Sequence, residues 1–94
     1  MKIVLNKCYG GFGLSPAARR MYEKTEHRKS YSMEEHRTDP ALVEIVETLG
    51  SMANDDFSKL KIFDMPESTT DYMIYDYDGL EILFYVVDGK LRQA

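Results

Sequence analysis

Between Asn6 and Pro16 the chain runs Asn-Lys-Cys-Tyr-Gly-Gly-Phe-Gly-Leu-Ser-Pro, and these residue types at this spacing suit a turn that holds an anion. Gly10, Gly11 and Gly13 let the backbone take positive φ and approach a ligand with no Cβ in the way. Main-chain amides exposed there, with the partial positive end of a helix capped by Ser15, form a cradle for negative charge. Lys7 adds a point charge, and Tyr9 or Phe12 offers a ring on which a nucleobase can stack. Phosphate plus aromatic ring is the minimal chemistry of nucleotide binding, so Asn6, Lys7, Tyr9, Gly10, Gly11, Phe12, Gly13 and Ser15 are the candidate ligand-binding residues. Two later residues join them. Arg37 has the fork geometry to clamp a phosphate in two places if residues 25–37 fold over the glycines. Glu81 alternates away from Leu80, Ile82 and Phe84, so it either hydrogen-bonds a ribose or is simply solvated.

The glycine segment matches no established phosphate motif. It lacks the Gly-x-x-x-x-Gly-Lys-Ser/Thr of a P-loop, and Gly11-x-Gly13-x-x-Pro16 lacks the third glycine of a dinucleotide fingerprint. The competing account is a tight strand-to-helix turn with Phe12 buried as a plug. Other chemistry is weaker. Cys8 near a helix start, with His27 or His36 as base, would make a nucleophile, but a lone cysteine ending a strand is usually core. Glu34-Glu35-His36 are adjacent and do not converge on a metal without help from elsewhere. Tyr72, Tyr75, Tyr77 and Tyr85 suit either a stacking face or a core or dimer interface. No convergent acid–base set is present, so no enzyme, cofactor or metal is expected.

The elements that must position these residues follow from pattern. Ile3-Val4-Leu5 reads as an interior strand over residues 2–8, covered on both faces. Ser15-Pro16 starts a short helix that runs to about Lys24. Residues 25–37 are polar and unpatterned, as in a mobile loop that orders on binding. Asp39-Pro40 repeats the cap-then-proline device, and Leu42, Val43, Ile45, Val46 and Leu49 share one face of a second helix, stopped by Gly50. A turn around Asn54-Asp55-Asp56 leads to a strand at 60–65, ended by Pro66. Residues 72–77 alternate, Asp78-Gly79 makes a two-residue hairpin, and residues 80–87 return as a nearly continuous apolar strand. Asp88-Gly89 turns again into a short strand, 90–93. The order β-α-α-β-β-β predicts a single α+β domain over residues 1–94, with two helices packed on one face of a mostly antiparallel sheet of four to five strands.

Ninety-four residues with 44% hydrophobic and 30% charged content describe an ordinary globular chain with a small core, for which a ligand or second subunit matters. One cysteine excludes an intrachain disulfide framework, and no apolar run is long enough to span a membrane. The three aliphatics after Met1-Lys2 are too few for a signal-peptide core, so a reducing cytoplasm is expected. The net charge of −4 argues against duplex nucleic acid as partner. It conceals an asymmetry: residues 1–37 carry eight basic against four acidic side chains, residues 38–94 four against twelve. A basic first part suits a small anion, and an acidic second part suits docking on a protein.

The run Leu5-Asn6-Lys7-Cys8-Tyr9-Gly10-Gly11-Phe12-Gly13-Leu14-Ser15 resembles the opening of a set of small phage and prophage proteins. The likeness continues at Arg37–Val43, Leu49-Gly50, Ala53-Asn54, Leu60–Ile62 and Tyr77–Glu81. This chain departs from the set at Phe63-Asp64-Met65-Pro66, where relatives carry Val-Glu-Ile-Pro, and in an ending that lacks their polar, basic residues. The resemblance implies a phage-encoded accessory protein acting inside an infected bacterium. Proteins of that class commonly counter host defence by sequestering a nucleotide signal or by docking on a defence protein. Two expectations result. One is a non-catalytic binder of a small phosphorylated ligand, assembled as a homodimer or larger so that a pocket forms between subunits. The other is a docking inhibitor of a host defence protein that uses the acidic C-terminal half.

Overall fold

A computed structural model describes residues 1–25 and 37–94. Five strands and two helices are arranged in the expected α+β class, and every strand pairing is antiparallel. The strands are β1 (Lys2–Asn6), β2 (Leu60–Asp64), β3 (Thr69–Tyr77), β4 (Leu80–Val87) and β5 (Lys90–Gln93). They divide into two sheets rather than one: β1 pairs β2, and β3-β4-β5 form a separate meander.

Both helices begin as their caps dictate. In α1 (Pro16–Glu23) the Ser15 side chain accepts from the Ala18 N–H, with Pro16 at the first helical position. In α2 (Pro40–Leu49) Asp39 accepts from the Ala41 N–H, and Gly50, at φ +57°, ends the helix. The Tyr22 hydroxyl donates to the other Asp39 oxygen at 2.8 Å, which ties the cap of α2 to the body of α1. Burial, together with the hydrogen bond and charge of Asp39, holds the Tyr22 hydroxyl far above the usual phenol range.

The layers follow from strand alternation. Val4, Leu60 and Ile62 face the helices and pack with Ala18, Tyr22, Leu42, Val43 and Val46. Ile3, Leu5 and Phe63 point the other way, onto Leu83, Ile74 and Tyr85 of the three-stranded sheet. The β1-β2 pair is therefore the middle layer, covered on both faces as its unbroken aliphatic run predicts. Among the described residues it is not interior within its sheet, because β2 is its single strand neighbour there. On its other edge the Val4 N–H donates to the Arg37 carbonyl at 2.9 Å, so a residue outside any strand satisfies it.

Both tight hairpins form as the Asp-Gly pairs require, with φ of +51° and +91° at Asp78 and Gly79, and +53° and +74° at Asp88 and Gly89. The third layer, β3-β4-β5, has one face on the middle layer and the other uncovered by any described residue.

Candidate functional site

The end of β1, the segment leading into α2 and the start of β4 meet in the interior. Arg37 and Glu81 form a two-pronged ion pair, with Nη1 and Nη2 donating to Oε1 and Oε2 at 2.5 and 2.7 Å. Both side chains are almost wholly buried, at 1% and 4% exposure. Glu81 Oε1 also accepts from the Asn6 N–H at 2.6 Å, and Arg37 Nη1 reaches the Val4 carbonyl at 3.3 Å. The guanidinium lies over the Phe12 ring, 3.6 Å from its centroid. The sequence places Asn6, Phe12, Arg37 and Glu81 in a ligand site. The structure brings them together, but on one another.

The same holds for most of the glycine segment. Asn6 is fully buried; its Oδ1 accepts from the Lys59 N–H at 2.8 Å, and its Nδ2 donates to the Cys8 and Gly79 carbonyls at 2.9 and 2.6 Å. Lys7 Nζ donates to the Glu81 carbonyl at 2.7 Å. The Gly10 N–H donates to the Asp78 carbonyl at 2.9 Å, and the Ser15 N–H to the Ala53 carbonyl at 2.8 Å. Gly13 lies against the Asp55 carboxylate, and its carbonyl accepts from Ser58 Oγ at 2.8 Å. Gly11, at φ +134°, presents its backbone N to Gly79, with open space where its own Cβ would stand. Phe12 is half-buried against the helical core, close to the plug account. Tyr9 alone points outward, 65% exposed, with its ring edge-on to Tyr77 at 6.3 Å.

The glycines thus serve a close approach, though of another part of this chain. The Asp78-Gly79 turn docks onto Gly10 and Gly11 so tightly that a Cβ on Gly79 would overlap their backbone atoms. Lys7 and Arg37, the cations proposed for phosphate, both donate to Glu81, and Arg37 Nε is left buried without a hydrogen-bond partner among the described residues. A cleft of about 230 Å³ opens beside the ion pair, lined by Arg37, Tyr72, Met73, Ile74, Asp76 and Glu81. Two carboxylates against one guanidinium give it the wrong sign for phosphate.

Glu81 is neither solvated nor outward. The face of β4 from which Glu81 alternates away is the open one. Leu80, Ile82, Phe84 and Val86 point away from the middle layer, while Glu81, Leu83 and Tyr85 point into it. Opposite them on β3 stand Met73, Tyr75 and Tyr77, 61%, 53% and 55% exposed, and beside Val86 on β5 stands Leu91, 68% exposed. Gln93 stands on this face beside Phe84, and apart from Asp71 at one end it carries, among the described residues, no group ionised at neutral pH. Sequence reasoning nominated Tyr75 and Tyr77 only as one option among several. The signal for the rest was a strand apolar on both faces in a chain with too few layers to cover both.

His27, Glu34, Glu35 and His36 lie outside the described residues. Among the described residues, no three His, Cys, Asp or Glu side chains stand close enough to hold a metal ion, and no helix is long and apolar enough to cross a membrane. The chain matches no protein-family profile, no curated protein and no solved structure.

Proposed function

We propose that this chain is a non-catalytic protein-interaction module that works through the outer face of the β3-β4-β5 sheet. In the setting its phage-protein resemblance implies, it acts inside an infected bacterium through a protein contact made by this face, not by turning over a substrate. One observation carries this reading: a mainly aliphatic and aromatic sheet face, charged only at Asp71 on its rim, left open to water in a chain of 94 residues. Met73, Tyr75, Tyr77 and Leu91 alone expose on the order of 500 Å² there, and the largest apolar patch of a typical monomer is about 300–600 Å². The four half-buried residues of β4 enlarge it further. The working surface thus belongs to the acidic C-terminal half, but its chemistry is apolar and its acids lie around it.

A photo-cross-linking residue in place of Tyr75 should yield an adduct of defined mass with a protein partner in cells. The same residue in place of Met52, exposed on a different element, should yield none. Absence of any adduct from positions 73 and 75 removes the docking reading. The rival, a small phosphorylated ligand, has its own signature: added nucleotides, linear or cyclic, or ADP-ribose would raise Tm, by the equivalent of about 2.7 kcal/mol at 100 times Kd. Lys7 Nζ on the Glu81 carbonyl and the Arg37 Nη atoms on the Glu81 carboxylate favour no shift.

A further inference from the structure

We infer that the partner seated on this sheet face is a second copy of the chain, packed face to face into a two-fold sandwich of β3-β4-β5 sheets. The inference rests on the docking reading and names its occupant.

Three observations specify that occupant. The first is charge. The chain carries a net −4, so two copies repel unless they meet where neither presents charge. The outer face, from Met73 to Tyr77 on β3 and Leu80 to Val86 on β4, is such a place. Asp71 marks its rim at one end and Asp78 the other, where water still solvates them. The second is area. A standard protein interface buries about 800 Å² per partner. The four most exposed side chains supply on the order of 500 Å² of that, and Ile82, Phe84 and the β4 backbone around them lie between those side chains.

The third is shape and symmetry. Twisted antiparallel sheets pack on one another about 10 Å apart with interdigitating side chains, and a two-fold contact requires a surface that complements itself. The apolar column Leu80, Ile82, Phe84 and Val86 on β4, flanked by Met73, Tyr75 and Tyr77 on one side and Leu91 on the other, meets that requirement, because a two-fold axis through the column sets apolar residues against apolar ones. The contact would also give β3-β4-β5 the second cover that its doubly apolar central strand lacks in the monomer. The face would then become the core of the dimer, with aromatic side chains as anchors.

Sedimentation equilibrium of the purified full chain tests this. The wild type should sediment at twice the 10.9 kDa chain mass at micromolar concentration. Tyr75→Lys, on an outward position of an edge strand, should weaken association at least 100-fold and leave the far-ultraviolet circular dichroism of the folded chain. Leu91→Lys, on the opposite side of the patch, should do the same and serves if Tyr75→Lys proves unfolded. Met52→Lys should remain dimeric. A wild type that is monomeric at 100 μM, or a folded Tyr75→Lys or Leu91→Lys variant that stays dimeric, overturns the inference. If the wild type is monomeric while position 75 still cross-links to a different protein, only the choice of occupant falls; if position 75 cross-links to nothing, the docking reading falls as well.

Discussion

Arg37 and Glu81, forty-four residues apart, meet in a solvent-excluded ion pair whose carboxylate also receives the Asn6 amide. This contact joins the approach to α2, the end of β1 and the start of β4. It fixes how the outer sheet is laid on the middle one, because Glu81 can reach Arg37 only if β4 turns its odd-numbered side chains inward. The even-numbered side chains must then face water or a partner.

Breaking that pair on one side leaves a buried charge without its counterpart, a loss of about 3–5 kcal/mol. Glu81→Leu should therefore lower the unfolding free energy by about that amount in urea titrations. The double variant Glu81→Leu/Arg37→Met should recover much of it, since removing both charges also removes their desolvation cost. A single variant that costs less than about 1 kcal/mol would show that the pair does not hold the layers together.

The two Asp-Gly hairpins provide a matched comparison. Gly79 and Gly89 both sit at positive φ, so alanine strains the backbone at either by about 1 kcal/mol. At Gly89 nothing lies within 4 Å of an added Cβ, whereas at Gly79 it would overlap the backbone of Gly10 and Gly11. Gly79→Ala should thus destabilise by at least about 1–3 kcal/mol more than Gly89→Ala, the overpacking cost, in the same denaturation assay. Equal effects would mean that the glycine segment and the hairpin turn are not in contact.

Tyr22 predicts a dependence on alkaline pH. Its hydroxyl is held far above the ordinary value near 10 by burial and by Asp39. Above pH 10 the unfolded chain gives up this proton while the folded chain keeps it, so the unfolded state binds fewer protons and stability falls as pH rises. The contribution is complete below pH 10, and the loss approaches about 1.4 kcal/mol per pH unit above it. Unfolding free energies of the wild type measured from pH 9 to 11.5 should fall more steeply than those of Tyr22→Phe. Parallel curves would show that the phenol is not buried against the cap of α2.

Local structure was legible because its causes are local. Ser15-Pro16 and Asp39-Pro40 cap the helices wherever the chain goes, and Asp78-Gly79 and Asp88-Gly89 supply torsions that a two-residue turn demands. The unbroken aliphatic run at Ile3-Val4-Leu5 told correctly that both faces of β1 are covered. The candidate site was legible only as a set: Asn6, Lys7, Phe12, Arg37 and Glu81 are indeed neighbours, and the sequence named them together.

What those neighbours do was decided by the tertiary structure. Residue types report which charges and rings are available, but not whether their partner is a ligand or another part of the chain. Here Glu81 neutralises Arg37, and the Asp78-Gly79 turn packs against the backbone of Gly10 and Gly11. The inward face of β4 was equally undetermined, because its alternating positions are apolar on both sides and periodicity has no sign when the two faces look alike. The long-range attraction between Arg37 and Glu81 breaks that tie and sets which apolar face the molecule buries and which it offers.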